Sequence, residues 1–393
     1  MKILYDYQAF EMQRIGGISR YFREILGGLS KLNGIEVELA IGYSDNEYLK
    51  NSEFSAKVIS NPDTYENFCG GREFRGKWTL FNLRNKLFNT IESESSNKKL
   101  SIKALQAQDF DIFHATYYDD YFLPYLGEKP FVLTIYDMIH EIYPEYFNLA
   151  DQTAIRKRRL AQEASKIIAI SECTKRDLIE FCDISSEKVE VIHLSNSIES
   201  RLSLGAHLPS LPNRFLLFVG SRSAYKNFFF FVNSAGSILA ADPTLHIVCT
   251  GSHFTKHERA FLALHNIEDR VLHFAASDAE LELLYRRALA FVFPSLYEGF
   301  GLPVLEAFSN GCPAVLSNAG SLPEIGGGGA VYFEPKDVSS LRFALSQVLY
   351  GSEESRLDLV GRGTRRLQQF SWGRTCEQTS LVYREILETR SAI

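Results

Sequence analysis

Two glutamates, Glu298 and Glu306, flank a turn with the sequence Gly-Phe-Gly-Leu-Pro in the second half of the chain. An apolar run ends just before this turn, and Pro303 suits the first turn of a helix, where its missing N–H costs nothing. Because glycines let a backbone approach a ligand and free amides at a helix N-terminus attract phosphate, we predict a diphosphate site here, with one carboxylate facing a sugar and the other a ribose. The amides concerned are those of Phe300, Gly301 and Leu302. The alternative is a loop glutamate followed by a solvated helix glutamate.

Two cations, Arg222 and Lys226, follow a second apolar run, Phe215–Val219, which we predict to be a strand. Open α/β sheets bind ligands at the C-terminal ends of their strands. Two cations at such an edge favour a diphosphate, which an arginine can contact through paired hydrogen bonds. We expect both to stabilise charge on a departing diphosphate; the alternative is that both are solvated surface charges.

A pair of glycines, Gly16 and Gly17, opens a predicted helix near the start of the chain, and Arg20 follows one turn later. Glycines at a helix start could let an acceptor or the donor phosphates approach across a cleft. The segment is not a dinucleotide fingerprint, since G-x-G-x-x-G directly after a strand is absent. The alternative is an ordinary connection from loop to helix.

Polar residues also follow the predicted strand Phe131–Ile135, in a loop that holds Asp137, His140 and Glu141. At the end of a strand, such groups are candidates for orienting an acceptor hydroxyl or the transferred sugar. The alternative for a loop histidine is a structural or exposed side chain.

Short apolar runs alternate with amphipathic stretches along the chain, which predicts βα units around mostly parallel sheets. We therefore predict an α/β protein with two doubly wound sheets that face each other across a cleft. Ser171 and Asp278 are the predicted N-caps of two helices. The predicted strands are Lys2–Tyr5, Ile35–Ile41, Asp111–Ala115, Phe131–Ile135, Lys166–Ile170, Val189–His193, Phe215–Val219, Leu245–Thr250, Val271–Phe274, Ala290–Phe293 and Pro313–Leu316.

The length of 393 residues exceeds what one core usually supports and indicates two main domains. Proline, glycine and serine between Ser200 and Asn213 are typical of an interdomain connection. We expect an acceptor-binding domain over residues 1–200 and a nucleotide-sugar-binding domain over 201–370. The amphipathic segment 371–393 is predicted to be a helix.

Composition excludes several classes of protein. The formal charge of −6 disfavours nucleic-acid binding. The six cysteines show neither a C-x-x-C pair nor zinc-ligand spacing, so we expect reduced thiols in a cytosolic protein and no metal site. Apolar runs are too short to span a membrane, and we expect neither a cleavable signal nor a helical anchor.

These segments together resemble the retaining family 4 glycosyltransferases, whose two domains form the GT-B fold. The resemblance covers nearly the whole chain and is carried by GGISRYF, TIYDMIHEIYPE, AISECTKRDLI, FVGSRSAYKN, PSLYEGFGLPVLEAFSNGCP and SLPEIGG. Two glutamates separated by seven residues are the hallmark of that family. The resemblance implies that Arg222 and Lys226 hold the donor diphosphate. It also implies that Glu306 holds the ribose and Glu298 the hydroxyls of the transferred sugar.

One position departs from the family pattern. Members often have His-Asp at the end of the strand in the first domain, whereas this chain has Tyr136 before Asp137. It stays open whether Asp137, His140 or neither takes the part of the usual histidine. The family also implies that the last helix crosses back to the first domain.

The implied reaction is transfer of a hexose with retention and without a metal ion, because cations and helix N-termini can stabilise the leaving group. The opening segment and YDMIHEIYPEYF resemble enzymes that assemble bacterial surface polysaccharides such as O-antigen, many of them mannosyltransferases. They indicate GDP-mannose as donor, UDP sugars as second choice and a growing, lipid-linked glycan as acceptor. Rival interpretations are an epimerase or phosphorylase on the same fold, and a sugar-nucleotide sensor without activity.

A lipid-linked acceptor would require contact with the inner face of the cytoplasmic membrane. The basic run Arg156–Arg159 lies on a predicted helix, and further aromatic and basic residues occur in FRGKWTLFNLRNKLF. Basic side chains beside exposed aromatics suit anionic headgroups. The alternative is a solvated helix face with aromatic residues in the core.

Overall fold

The computed structural model describes residues 1–50, 52–55, 69, 72, 74, 76–80, 96–196 and 211–391. Within these residues the strands form two sheets, each with six parallel strands. The first sheet contains β1 (Lys2–Tyr5), β2 (Glu36–Leu39), β3 (Ile112–Ala115), β4 (Phe131–Ile135), β5 (Lys166–Ala169) and β6 (Val189–Val191). The second contains β7 (Arg214–Phe218), β8 (Leu245–Cys249), β9 (Val271–His273), β10 (Ala290–Phe293), β11 (Ala314–Ser317) and β12 (Ala330–Phe333).

The predicted fold class, an α/β protein with two doubly wound parallel sheets, is confirmed. Every predicted strand is present, with ends that differ by at most two residues. Strands such as β3, β4 and β10 are buried along their whole length, and parallel strands covered on both faces appear in a sequence as short continuous apolar runs. Strand β12 was not predicted, because its four residues directly follow a run of glycines that is typical of a loop.

Helices connect the strands. Those described are α1 (Gln8–Met12), α2 (Gly17–Leu29), α3 (Glu47–Lys50), α4 (Ser96–Ala107), α5 (Ile139–Ile142), α6 (Thr153–Glu163), α7 (Glu172–Cys182), α8 (Phe228–Ala241), α9 (Lys256–Leu264), α10 (Asp278–Arg287), α11 (Leu302–Ser309), α12 (Leu322–Gly326), α13 (Val338–Leu349), α14 (Glu353–Leu367) and α15 (Trp372–Ser391).

Two of the predicted helix starts can be checked at their N-caps. Ser171 caps α7, and its side chain accepts a hydrogen bond from the Thr174 amide. The prediction of Asp278 as an N-cap is wrong by one residue. Ser277 caps α10 instead, because it forms a capping box in which Glu280 bonds back to the Ser277 amide.

The strand order of the second sheet is β12-β11-β10-β7-β8-β9, so the direction of winding reverses between β7 and β10. The loops that leave these two strands run to opposite sides and open a crevice at the sheet edge, where α/β proteins bind ligands. In the first sheet, β2-β1-β3-β4-β5-β6, the same reversal lies between β1 and β3. The chain therefore places the segments after β7 and β10 at a crevice of the second sheet.

The last helix, α15, packs against α2 and β5 of the first sheet, although it follows the second sheet in sequence. Its Tyr383 is fully buried, and the hydroxyl lies 2.6 Å from both the Tyr5 hydroxyl and the Nδ1 of His114. The predicted boundary between residues 200 and 201 lies in residues 197–210, outside the described residues.

Candidate active site

The two loops of the second-sheet crevice are joined directly. After β7 the chain makes a short 3-10 turn, Ala224–Lys226, and the Leu296 amide of the β10 loop donates to the Tyr225 carbonyl at 2.7 Å. Lys226 Nζ lies 2.7 Å from Oε1 and 2.9 Å from Oε2 of Glu298. The predicted cation and the predicted sugar-facing carboxylate are therefore brought together, and both side chains are mostly buried.

Charge at this pair is fixed by its surroundings. Burial opposes the charge of Lys226, but the carboxylate of Glu298, with Tyr225 and Asp137, outweighs that effect and raises the pKa of Lys226. The lysine is thus a full positive charge at neutral pH. Asp137, in the loop after β4 of the first sheet, adds to this rise.

The glycine turn between the two glutamates takes a conformation that only glycine adopts easily. Gly301 caps α11 with φ of +108°, and Pro303 is the second residue of the helix. A Cβ at residue 299 would lie 1.7 Å from the carbonyl oxygen of Tyr136, so Gly299 lets the first-sheet loop approach. In the part of the chain that the structure describes, nothing accepts a hydrogen bond from the N–H of Phe300, Gly301 or Leu302.

Glu306, on α11, accepts hydrogen bonds from helices of both halves of the chain. Its Oε1 accepts from Arg20 at 2.9 Å, and its Oε2 accepts from the Tyr285 hydroxyl at 3.0 Å. Burial raises the pKa of Glu306, and Arg20 opposes that rise. Arg20 also lies 3.3 Å from Asp278, so the helix that Gly17 begins delivers a cation into the second half.

Gly17 lies close to the same turn. A Cβ added to it would meet Leu302 Cδ1 at 3.6 Å, so this predicted donor-binding glycine faces the start of α11 across the cleft.

Arg222 is not brought to the Lys226–Glu298 pair. Its side chain is only 2% exposed and is turned toward β8 and α9. Nε donates to Glu258 at 2.7 Å, the other nitrogens donate to the carbonyls of Thr250 and His253, and the guanidinium stacks on Phe254. The two predicted cations therefore do not point at one place, because Glu258 and the β8 loop satisfy Arg222 elsewhere.

Of the two candidates in the β4 loop, Asp137 lies against the glycine turn, whereas the contacts of His140 are with Phe147 and Asp151. The Asp137 Cβ would lie 2.9 Å from a Cβ at Gly299, beside Glu298. His140 stacks on Phe147 with ring centres 3.8 Å apart, and its Nε2 lies 3.5 Å from Asp151. Burial, with Lys157, lowers the pKa of His140.

Further contacts join the two halves next to this site. The hydroxyls of Ser171 and Thr174 donate to the Gly299 carbonyl at 2.7 and 3.2 Å. Glu324 accepts from the amides of Glu172 and Cys173 at 2.9 and 3.1 Å. A carboxylate of the second half thus caps helix α7 of the first.

His193, after β6, lies 2.6 Å from Glu324. Burial opposes the charge of Glu324, but His193 and the two helix amides hold the pKa of this carboxyl below its ordinary value. Glu324 is therefore ionised where it meets the helix N-terminus, and the contact draws the two halves together.

Across the described residues, no group of three or more histidine, cysteine or acidic side chains could hold a metal ion. None of the helices within these residues combines the length and the apolar character needed to cross a bilayer.

Comparison with protein families identifies both halves of the chain. The model described as Glycosyltransferase Family 4 matches residues 15–195, and the model described as Glycosyl transferases group 1 matches residues 205–366. Together they cover all of the chain except residues 1–14, 196–204 and 367–393. The chain belongs to the family 4 glycosyltransferases.

Known relatives agree with this family. O-antigen chain mannosyltransferase B of Escherichia coli is 42% identical over 107 residues, which are 27% of this glycosyltransferase and 28% of that protein. The chain spans between 27% and 60% of the length of the first four curated relatives that it matches.

Solved structures resemble this glycosyltransferase over its whole length. Sucrose-phosphate synthase from Thermosynechococcus elongatus superposes with a TM-score of 0.71 at 17% identity, covering 99% of each chain. HepE of Anabaena, solved with UDP and glucose, superposes with a TM-score of 0.67 at 18% identity, covering 100% of each chain. These similarities confirm the GT-B fold.

Sequence reasoning missed two residues that this glycosyltransferase places at the site. Tyr285 supports Glu306, and it gave no signal beyond its position on a predicted helix. Lys157 was included in a basic surface run, which is wrong for this residue: it is 0% exposed. A signal existed, because positions 157, 160, 161 and 164 have helical spacing and the other three are Leu160, Ala161 and Ala164.

Proposed function

We propose that this protein is a retaining hexosyltransferase that moves a sugar from a nucleotide diphosphate donor to a growing glycan. The observation that carries the proposal is the Lys226–Glu298 pair at the crevice of the second sheet, with Asp137 of the first half against the adjoining Gly299. Glycosyl transfer needs a cation for the leaving diphosphate, a carboxylate that accepts hydrogen bonds from the sugar hydroxyls, and a second carboxylate that orients the attacking hydroxyl.

Lys226 supplies positive charge to the leaving diphosphate. It stands beside the N-terminus of α11, where unengaged amides of the glycine turn add partial positive charge. Charge stabilisation of this kind is often the largest contribution to catalysis, and here it would come from the chain itself. Arg222 would contact the diphosphate only after its guanidinium had left Glu258, so its role at the phosphate is a separate proposal.

The two glutamates divide the rest of the donor between them. Glu298, held by Lys226, accepts hydrogen bonds from hydroxyls of the transferred sugar. Glu306, on helix α11, accepts from the ribose hydroxyls, and its partners within the protein are Arg20 and Tyr285.

Asp137 takes the place across the cleft where an attacking hydroxyl would arrive. Its Cβ lies against Gly299, next to Glu298, whereas His140 is paired with Asp151 and stacked on Phe147. We therefore assign orientation of the acceptor, or of the transferred sugar, to Asp137 and leave His140 a supporting part of the loop.

GDP-mannose is the favoured donor, because O-antigen chain mannosyltransferase B of Escherichia coli is a relative. UDP sugars are the second choice, supported by the HepE structure with UDP and glucose. The same relative supports a role in O-antigen polysaccharide assembly. The acceptor that we propose is a lipid-linked glycan at the cytoplasmic face of a membrane.

Contact with such a membrane is supported by one part of the first half. Leu149 is fully exposed and Ile155 is 65% exposed, next to Arg156. In co-sedimentation with vesicles that contain anionic lipid, the protein should pellet with the vesicles at low salt and remain in the supernatant at high salt. Equal recovery in the supernatant with and without vesicles would contradict this part of the proposal.

A thermal-shift screen with GDP, UDP, ADP and dTDP sugars tests the donor. A ligand that binds the folded state raises the melting temperature by mass action, so GDP-mannose should give the largest shift. Release of GDP from GDP-mannose is then measured with and without glycan acceptor. Binding without release would identify a sensor, and no shift with any nucleotide would contradict the proposed function.

A further inference from the structure

Lys157 lies in the middle of α6 and is fully buried, unlike its neighbours Arg156, Arg158 and Arg159, which are exposed. Its Nζ donates to the carbonyl oxygen of Asp137 and to Oε2 of Glu141, both at 2.9 Å. A buried ammonium is stable only when it is paired and hydrogen-bonded, so this side chain has been drawn inward by specific partners.

Two carboxylates surround this ammonium, and they differ in exposure. Glu141 is nearly buried and makes the close contact, which suffices to neutralise the lysine. Asp137 Oδ1 lies 3.9 Å from Nζ, and the Asp137 side chain is 37% exposed toward the cleft. The lysine therefore reaches Asp137 in addition to its structural partner.

The bond to the Asp137 carbonyl fixes the backbone of the loop that carries this residue. The preceding carbonyl, that of Tyr136, is the one that a side chain at Gly299 would strike. The loop is thus held on one side by the Lys157 side chain and on the other by the turn that contains Glu298 and Gly299. The carboxylate itself accepts from the Ile139 amide at 3.1 Å through Oδ1, so its direction depends on where Lys157 and the Glu298 turn hold this backbone.

Tyr136 itself offers no alternative group at this strand end. Its hydroxyl donates to the Thr116 carbonyl at 2.9 Å, and its ring packs against Tyr21, Phe22 and Tyr118. Asp137 is therefore the polar side chain through which this end of β4 meets the donor site.

We propose that Lys157 is a positioning residue, which holds the Asp137 carboxylate in the direction needed to orient the hydroxyl that attacks the donor sugar. This inference rests on the proposed transferase function. Lys157 does not touch donor or acceptor, and it acts only through Asp137.

Three variants test the proposal: Lys157→Met, Asp137→Asn and the double variant. The rate of GDP release from GDP-mannose, with water in place of the acceptor, is measured together with the affinity for GDP by calorimetry; UDP-glucose and UDP replace them if the wild type uses that donor. Lys157→Met should slow release about tenfold or more and change GDP affinity by less than about twofold, since the nucleotide binds the other half. The control Arg158→Met, on the exposed face of α6, should match the wild type.

The double variant separates positioning from general damage. If Lys157 acts through Asp137, the double variant should be no slower than the slower single variant. If the two effects multiply, or if GDP affinity falls in parallel with rate, the proposal is wrong.

Lys157→Met leaves Glu141 buried without its partner and could unfold the protein, so Glu141→Gln/Lys157→Met is made as well. This pair should regain thermal stability and remain slow. Recovery of both stability and rate would show that Lys157 only balances the charge of Glu141. A wild type that binds neither nucleotide and cleaves neither donor would instead defeat the proposed function, and this inference with it.

Discussion

Lys226 contacts both oxygens of Glu298, whereas Glu306 shares its oxygens between Arg20 and Tyr285. The first carboxylate is tied to the cation that would meet the leaving group. The Glu306 carboxylate, on helix α11, is paired with Arg20 and Tyr285, which do not change charge during transfer. Interactions that strengthen in the transition state affect turnover, and interactions of constant strength affect binding.

Glu298→Gln should therefore leave the affinity for nucleoside diphosphate nearly unchanged and reduce turnover by roughly a hundredfold or more, the scale of one lost charge-assisted contact in the transition state. Calorimetry with GDP or UDP, paired with turnover of the identified donor, checks both quantities. Loss of diphosphate binding with normal turnover at saturating donor would show that the glutamate roles are assigned wrongly.

Glu306→Gln is the matched comparison, with the same chemical change eight positions along the chain. It should weaken the binding of free nucleoside diphosphate and of intact donor alike, because the ribose is common to both. The same calorimetry measures it. Unchanged affinity for the free diphosphate would remove the ribose role of Glu306.

At the scale of single elements, much could be predicted from sequence. The strands were found because each is a short apolar run, and α7 because Ser171 is a good N-cap. Lys226 and Glu298 each belong to the loop that follows an apolar strand, and the two side chains meet because these strands, β7 and β10, are neighbours in the second sheet; their role in binding a ligand stays a prediction.

What could not be predicted depends on contacts between distant segments. Arg20 meets Glu306 across 286 positions, and no local pattern encodes that distance. Arg222 was expected beside Lys226 because both follow β7, but the orientation of its side chain depends on Glu258 in another helix. Lys157 was grouped with its charged neighbours although its helical position is buried.

One buried hydroxyl, that of Tyr383, contributes to the attachment of helix α15 to the first sheet. Tyr383→Phe should lower the free energy of unfolding by about 2 kcal/mol or more, because the buried Tyr5 hydroxyl and His114 Nδ1 lose their shared partner and an unsatisfied buried group costs roughly 1–3 kcal/mol. Denaturant titration measures the change. Tyr350→Phe, at an exposed position, should have no comparable effect, and equal losses would contradict the role given to Tyr383.

His114 makes the stability of the first sheet depend on pH. Burial lowers its pKa from 6.5 to about 3, so its contribution is present above pH 6.5 and is lost as the pH falls toward 3. At pH 5 the loss should be about 2 kcal/mol, since one pKa unit corresponds to about 1.4 kcal/mol.

Between pH 7.5 and pH 5, the free energy of unfolding of His114→Gln should fall by about 2 kcal/mol less than that of the wild type. Denaturant titrations at the two pH values give the comparison. Parallel losses in both proteins would assign the pH dependence to other groups.

At the scale of the whole molecule, Arg20 links the two halves through its ion pair with Glu306. Arg20→Met leaves the buried Glu306 without its cation, so the nucleotide-free protein should open and show a larger radius of gyration in small-angle X-ray scattering. Arg23→Met is the control, because Arg23 lies on the same helix and, among the residues that the structure describes, forms its ion pair with the neighbouring Glu24. Identical scattering from wild type and Arg20→Met would show that other contacts hold the cleft.

The carboxylate of Glu324 on the first turn of α7 gives the protein a built-in reporter. When the halves separate, the amides of Glu172 and Cys173 lose their acceptor to water, and their hydrogens become free to exchange with deuterium. Deuterium uptake at the start of α7 should therefore slow when a nucleotide closes the cleft, while uptake at the distant start of α4 stays constant. Two backbone hydrogens would thus record, without an attached probe, how often this enzyme opens.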